Sequence, residues 1–142
     1  MIRKYQKEDI KRIMQIWLQV NIEAHSFVEK EYWIKNYSMV ESQISQAEVY
    51  VYEEKGKIKG FIGITNDYIA GIFVDKEYQS MGIGKKLLDY IKKYHSNLSL
   101  SVYKENKRAV DFYKREKFKI VSEEIEETGN AEYTMEWIDG KL

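Results

Sequence analysis

Between Ile72 and Tyr94 the sequence IFVDKEYQSMGIGKKLLDYIKKY changes its apolar period once, and that change dictates a strand feeding a helix through a glycine turn. The run Ile72, Phe73, Val74 gives way to polar residues. After Gly82 and Gly84 the residues Ile83, Leu87, Leu88, Ile91 and Tyr94 recur at helical spacing. The predicted helix starts with Lys85 and Lys86 and has no acid in its first turn. A helix N-terminus exposes N–H donors and partial positive charge, so it favours Asp or Glu over Lys. An anion seated there would account for both features, with glycine permitting positive φ and close approach to the backbone. The plainer alternative is a tight turn carrying two solvated lysines.

The rest of the chain reads as β-α-α-β-β before this unit and β-α-β-β after it. "MIRKY" is a short strand, and Ile10, Ile13, Met14, Trp17, Leu18 and Asn21 mark a helix with Asp9 near its start. A second helix is expected over Lys30 to Gln46. Val49–Glu53 and Ile58–Thr65 alternate around "EKGK" as a hairpin, followed by a strand at "YIAGIFV". "NLSLSV" is a strand, "ENKRAVDFYKREK" a helix, and the end two strands joined at Thr128-Gly129-Asn130. A central strand–helix–strand unit requires parallel pairing, and the hairpins require antiparallel pairing. The expected fold is α/β, a mixed, mostly antiparallel twisted sheet with helices on both faces.

At 142 residues the chain is expected to form one domain over 1–142. Acidic and basic residues balance at 23 each, so no global field points to nucleic acid or a membrane, and any anion preference is local. Without cysteine there is no thiol nucleophile or thiolate zinc site, and His25 and His95 are too few and too separated for a metal cluster. The opening "MIRKYQKEDI" lacks a signal-peptide apolar core and no run reaches membrane-spanning length, so a cytoplasmic location is expected.

Two phosphate motifs fail. The Walker pattern lacks its first glycine and its Ser/Thr, and the dinucleotide fingerprint has Leu87 as its third glycine. What remains is Q-x-x-G-x-G, Gln79 to Gly84. Further on, Asn106 and Tyr113 are seven residues apart, two helical turns, and share a face. On their own they read as well as a helix cap and a packed ring.

Taken together, "IFVDKEY", "QSMGIGKKLLDY" and "SVYKENKRAVDFYKREKFKI" resemble the GNAT superfamily of N-acetyltransferases. That family has a hydrophobic strand, then [RQ]-x-x-G-x-[GA], then an N-x-x-A-x-x-F-Y helix. The resemblance is specific over Ile72 to Ile120 and weak over Asn21 to Gln46, where such enzymes hold their acceptor elements. It implies acetyl-CoA bound where the strands Tyr68–Val74 and Asn97–Val102 splay apart, with no metal. Main-chain groups of Ile72, Phe73 and Val74 would pair with the pantetheine arm. Gln79, Ser80, Met81, Gly82, Ile83, Gly84 and Lys85 would hold the diphosphate, Asn106 and Ala109 would line the opposite wall, and Tyr113 would be the general acid.

The same resemblance suggests His25 and Phe27 for the amine acceptor, although core packing competes for Phe27. Tyr103, just past the strand that flanks the cleft, is a further candidate. Glu23, His25, Glu48 and Asp67 are candidate bases. Three positions depart from the family pattern: Gln79 and Met81 in the loop, and Lys117 where glycine usually ends the tyrosine helix. Lys85 and Lys86 are expected to offset the charge missing at Gln79. Lys117 should either take positive φ or end the helix differently. The expected partners are acetyl-CoA and an amine, with no nucleic acid or membrane, in a monomer or homodimer. A non-catalytic acyl-CoA sensor and an interaction domain with an empty cleft are the alternatives.

Overall fold

The computed structural model describes residues 1–140. In chain order these form β1 (Ile2–Lys4), α1 (Ile10–Ala24), α2 (Lys30–Ile44), β2 (Glu48–Glu54), β3 (Lys57–Thr65) and β4 (Tyr68–Val74). Then follow α3 (Ile83–Lys92), β5 (Asn97–Tyr103), α4 (Lys107–Arg115), β6 (Lys119–Ile125) and β7 (Ala131–Ile138). The strands make one sheet in the order β1-β2-β3-β4-β5-β7-β6, with β4–β5 the parallel pair and the other neighbours antiparallel. Among the described residues, no helix is long and apolar enough to cross a membrane.

Strand alternation divides the core between the two faces. Along β2, Val49 and Val51 pack with Ile13, Met14, Ile16 and Trp17 of α1, while Tyr50 and Tyr52 lie on the other side. That second side buries Leu87, Leu88 and Ile91 of α3 and Val110 of α4 against Ile62, Ile64, Leu98 and Leu100. Helices therefore cover both faces, as the sequence pattern implies. Tyr94 does not join the apolar stripe predicted for it. The helix ends at Lys92, and Tyr94 stands exposed with its ring edge-on to Tyr90.

Parallel pairing of β4 with β5 extends only over Tyr68 with Ser99 and Ile69 with Leu100. At that point the β3–β4 register shifts and leaves Ala70 as an extra residue on β4. A bulge bends the strand that carries it. Gly71 to Val74 stay on β3 but have left β5, which remains paired to β7 through Tyr103. The sheet thus opens as a V. Asp75, buried just past β4, forms an ion pair of 2.5 Å with Arg12 of α1 and so anchors the start of the following loop.

Lys117 takes the positive-φ option, at φ +75°. The Phe118 N–H donates to the Tyr113 carbonyl at 2.9 Å and the Lys117 N–H to Lys114 at 3.1 Å, the paired bonds of a Schellman ending. A non-glycine residue in this conformation costs about 1 kcal/mol. Lys117→Gly should therefore stabilise the protein by about 1 kcal/mol in chemical denaturation, with activity unaltered.

Candidate active site

The V leads into a cleft of about 880 Å³ bounded by the end of β4, the loop after it, the start of α3 and one face of α4. Alternation along β4 turns Ile72 and Val74 into this cleft and Phe73 to the opposite face, where its ring stacks on Phe61 at 5.0 Å. The main chain of Phe73 is turned away too: Asp75 N–H donates to Lys59, so Phe73 and Phe61 are the next hydrogen-bonded pair. The main-chain groups facing the free edge are those of Ile72 and Val74. Gln79, Ser80, Gly82, Ile83, Gly84 and Lys85 line one side, and Asn106, Ala109 and Tyr113 line the other. Met81 does not line it and points into solvent. Tyr78, Arg108, Phe112 and Arg115 also line the cleft and were not singled out from the sequence.

Gly82 caps α3 at φ +81° with no side chain accepting from the helix, and the first turn holds no acid. The first helical bond runs from Lys86 N–H to the Gly82 carbonyl at 3.0 Å. The N–H groups of Ile83, Gly84 and Lys85 are left without partners among the described residues. A Cβ built on Gly84 would come within 3.6 Å of the Phe112 ring and 3.9 Å of Ile72, so the missing side chain keeps this end open. The structure gives both lysines partners within the protein, and only Lys85 lines the cleft. Lys85 is held by Glu116 at 3.1 Å and Asp89 at 3.4 Å, contacts that raise its pKa, and Lys86 lies over the Tyr52 ring outside the cleft. The cation facing the loop is Arg108.

On α4 the Asn106 Oδ1 accepts from the Ala109 N–H at 3.3 Å, which makes Asn106 the helix cap and fixes the orientation of its amide. Its Nδ2 must then donate to His25 Nε2 at 3.1 Å. His25 accordingly carries its proton on Nδ1, a buried atom without a hydrogen-bond partner. Burial lowers the His25 pKa to about 4; the Asn21 carbonyl opposes this shift without closing a hydrogen bond to Nδ1. At neutral pH the ring is uncharged and its lone pair is occupied, a poor arrangement for a base. Tyr113 is buried two turns along the same helix, between the Phe112 and Phe118 rings, and its hydroxyl has no partner among the described residues. Burial, with Tyr68 adding to it, raises its pKa well above the usual phenol range, so it keeps its proton.

His25, Phe27 and Tyr103 do come together, but outside this cleft. The ring centroid of Tyr103 is 4.9 Å from His25 and 5.2 Å from Phe27, with Trp33 also against His25. The β6–β7 turn closes over them. Tyr103 donates to Glu126 at 3.0 Å and Tyr32 donates to Glu127. Of the other candidate bases, Glu23 lines the cleft beside Lys76. Glu48 sits at the start of β2 and Asp67 binds His95 at 2.8 Å, and neither lines it. Among the described residues no group of three or more acids or histidines could hold a metal ion.

The sequence profile described as "Acetyltransferase (GNAT) domain" matches residues 4–138. The chain is 34% identical over 123 residues to the peptidyl-lysine N-acetyltransferase YiaC of Escherichia coli (strain K12), covering 85% of this chain and 84% of that protein. It is 25% identical over 130 residues to YjaB of the same strain, also a peptidyl-lysine N-acetyltransferase, covering 90% and 88%. The solution structure of apo YjaB superposes with a TM-score of 0.86, over 99% of this chain and 98% of that one. A more distant fold match, at 15% identity and a TM-score of 0.70 over 100% and 95% of the two chains, is yncA of Salmonella typhimurium, solved with its cofactor acetyl-CoA. Profile and relatives, each spanning most of the chain, agree with the splayed strand pair and the open glycine turn: this protein belongs to the GNAT family and is an N-acetyltransferase.

Proposed function

We propose that the protein acetylates lysine side chains of polypeptides, with acetyl-CoA as donor. The observation that carries the donor half is the free edge of β4, which runs from the unpartnered amides at the start of α3 toward the Tyr113 face of α4. An edge strand accepts an extended amide-bearing arm, and a helix N-terminus accepts phosphate. The residues present suit acetyl-CoA on both counts. When bound, that molecule supplies its acetyl group as an activated thioester.

The chain's own groups divide the remaining work. Main-chain groups of Ile72 and Val74, which face the free edge of β4, hold the arm. The N–H of Val74, or of its neighbour, faces the carbonyl oxygen on which negative charge builds. Tyr113 keeps its proton until the sulfur gains charge, then donates to it. A lysine amine needs roughly 4–5 kcal/mol to be presented neutral at pH 7, so the acceptor's proton requires a base. Glu23, on the cleft wall, is the carboxylate we assign to it, directly or through water.

The lysine acceptor is supported by the two E. coli relatives, whose names state that acceptor. The test is CoA release, with mass spectrometry of the product, over an amine panel. Peptides with a blocked N-terminus and one lysine should be acetylated on the side chain. The same peptides with Arg for Lys and a free N-terminus, and polyamines, should react at least about tenfold more slowly, as expected for a site recognising one amine over another. Faster turnover of an α-amine or polyamine would overturn the lysine assignment.

A further inference from the structure

Arg108 lies on α4 across the cleft from the glycine turn, yet its guanidinium reaches over and holds that turn. Nη1 donates to Gln79 Oε1 at 2.7 Å and Nη2 to Ser80 Oγ at 2.8 Å. Both acceptors are neutral. No carboxylate among the described residues lies within ion-pair distance of Arg108, in contrast to Lys85 with its two acids and Lys76 with Glu23. Gln79 is tied from its other end as well, since its Nε2 donates to the Val74 carbonyl at 3.0 Å. A continuous bridge thus runs from the end of β4 through Gln79 to α4, over the turn where the amides of Ile83, Gly84 and Lys85 are unpartnered. Ser80 holds its place in the bridge at φ +67°, a conformation unfavourable for a residue with a Cβ.

A planar guanidinium binds phosphate oxygens in pairs, and such charged bonds are about twice as strong as those to neutral oxygens. We infer that Arg108 is a latch on the cofactor cleft. In the free protein it closes the turn onto α4 through Gln79 and Ser80, and on binding it exchanges these two neutral oxygens for the cofactor's diphosphate. It thereby supplies, from α4, the charge that neither Gln79 nor the already paired Lys85 provides. The inference rests on acetyl-CoA as donor and not on the identity of the acceptor.

The test is equilibrium binding by calorimetry with CoA, 3′-dephospho-CoA and pantetheine, at low and high KCl, without any acceptor. Arg108→Gln should weaken CoA by about 10- to 50-fold and flatten its salt dependence. Its affinity for pantetheine, which has no diphosphate, should match the wild type, and Arg108 is exposed, so the melting temperature of the free variant should be unaltered. An equal loss with 3′-dephospho-CoA supports the diphosphate as the new partner; a loss confined to CoA overturns that assignment in favour of the 3′-phosphate. The exchange itself is read in a background carrying Gln79→Met and Ser80→Gly, which lacks both neutral acceptors. Adding Arg108→Gln there should weaken CoA by at least the factor it costs in the wild type, because the bound guanidinium no longer touches them. If Arg108→Gln costs no affinity in that background, the guanidinium acts only through Gln79 and Ser80, the bridge is scaffolding and the latch is wrong. Wild-type CoA affinity in Arg108→Gln overturns the latch alone, whereas failure of the wild type to bind CoA overturns the donor assignment with it.

Discussion

Tyr113→Phe should lower kcat about 10- to 1,000-fold while leaving CoA affinity and the melting temperature close to those of the wild type. The ring is packed edge-on against Phe112 and Phe118, with centroids at 5.3 and 5.6 Å, and phenylalanine preserves those contacts. The hydroxyl makes no hydrogen bond among the described residues, so its removal strands no buried partner. The loss should therefore fall on kcat and not on binding, the signature of an interaction made as the sulfur departs. Its size is bounded from above because a thiolate is already a fair leaving group. Burial raises the phenol's pKa, so the proton is in place at neutral pH. That same shift favours donation of a hydrogen bond to the sulfur ahead of complete transfer. Steady-state kinetics with a saturating lysine peptide decide the matter, and an unaltered kcat would remove Tyr113 from the chemistry.

Gly84→Glu should move stability and binding in opposite directions. Gly84 is the second residue of α3, in a first turn that contains no acid. A carboxylate there meets the positive end of the helix, and glutamate is the better helix former, together about 1 kcal/mol or roughly 3 °C in melting temperature. Room for the added Cβ exists, since the nearest atoms would lie at ordinary contact distance. The same carboxylate would occupy the end proposed for the diphosphate. Two charges about 4 Å apart near a protein surface repel by about 4 kcal/mol, enough to weaken CoA at least 100-fold. A stabilised variant that still binds CoA would mean that the phosphates sit elsewhere.

These two residues also mark how far the sequence was legible. Apolar spacing together with the glycine and polar breaks between runs marked the strands and helices, because most of these elements bury one face. The strand β6, exposed along its length, is bounded instead by the Thr128-Gly129-Asn130 turn. The glycine turn and the Asn106–Tyr113 face were recognisable because both depend on local chain geometry. What spacing could not carry were contacts made across the cleft. Arg108 carries no local mark in the sequence, and only the fold sets it against Gln79 and Ser80. Lys85 and Lys86 looked like partners for an anion until Glu116, 31 residues away, and the Tyr52 ring claimed them. The Ala70 bulge was equally hidden, since an extra residue in one strand is defined only by its neighbour's register. His25 and Phe27 were read toward the acceptor, and the fold packs them with Tyr103 beneath an acidic turn whose contribution no local pattern announces.

The short junction between β4 and β5 has a consequence for the molecule as a mechanical object. Everything up to α3 belongs to one half of the sheet, and everything from β5 onward to the other, so the seam divides the polypeptide into two consecutive segments. Two residue pairs stitch that seam in the sheet. A guest lying along β4 while leaning on α4 acts as a keystone, and its grip on the protein is inseparable from how firmly the two segments hold each other. Amide exchange along β4 and β5 should slow together when the guest arrives, and a chain cut in the exposed stretch after α3 is the natural place to ask whether the guest alone can bring two pieces back into one sheet.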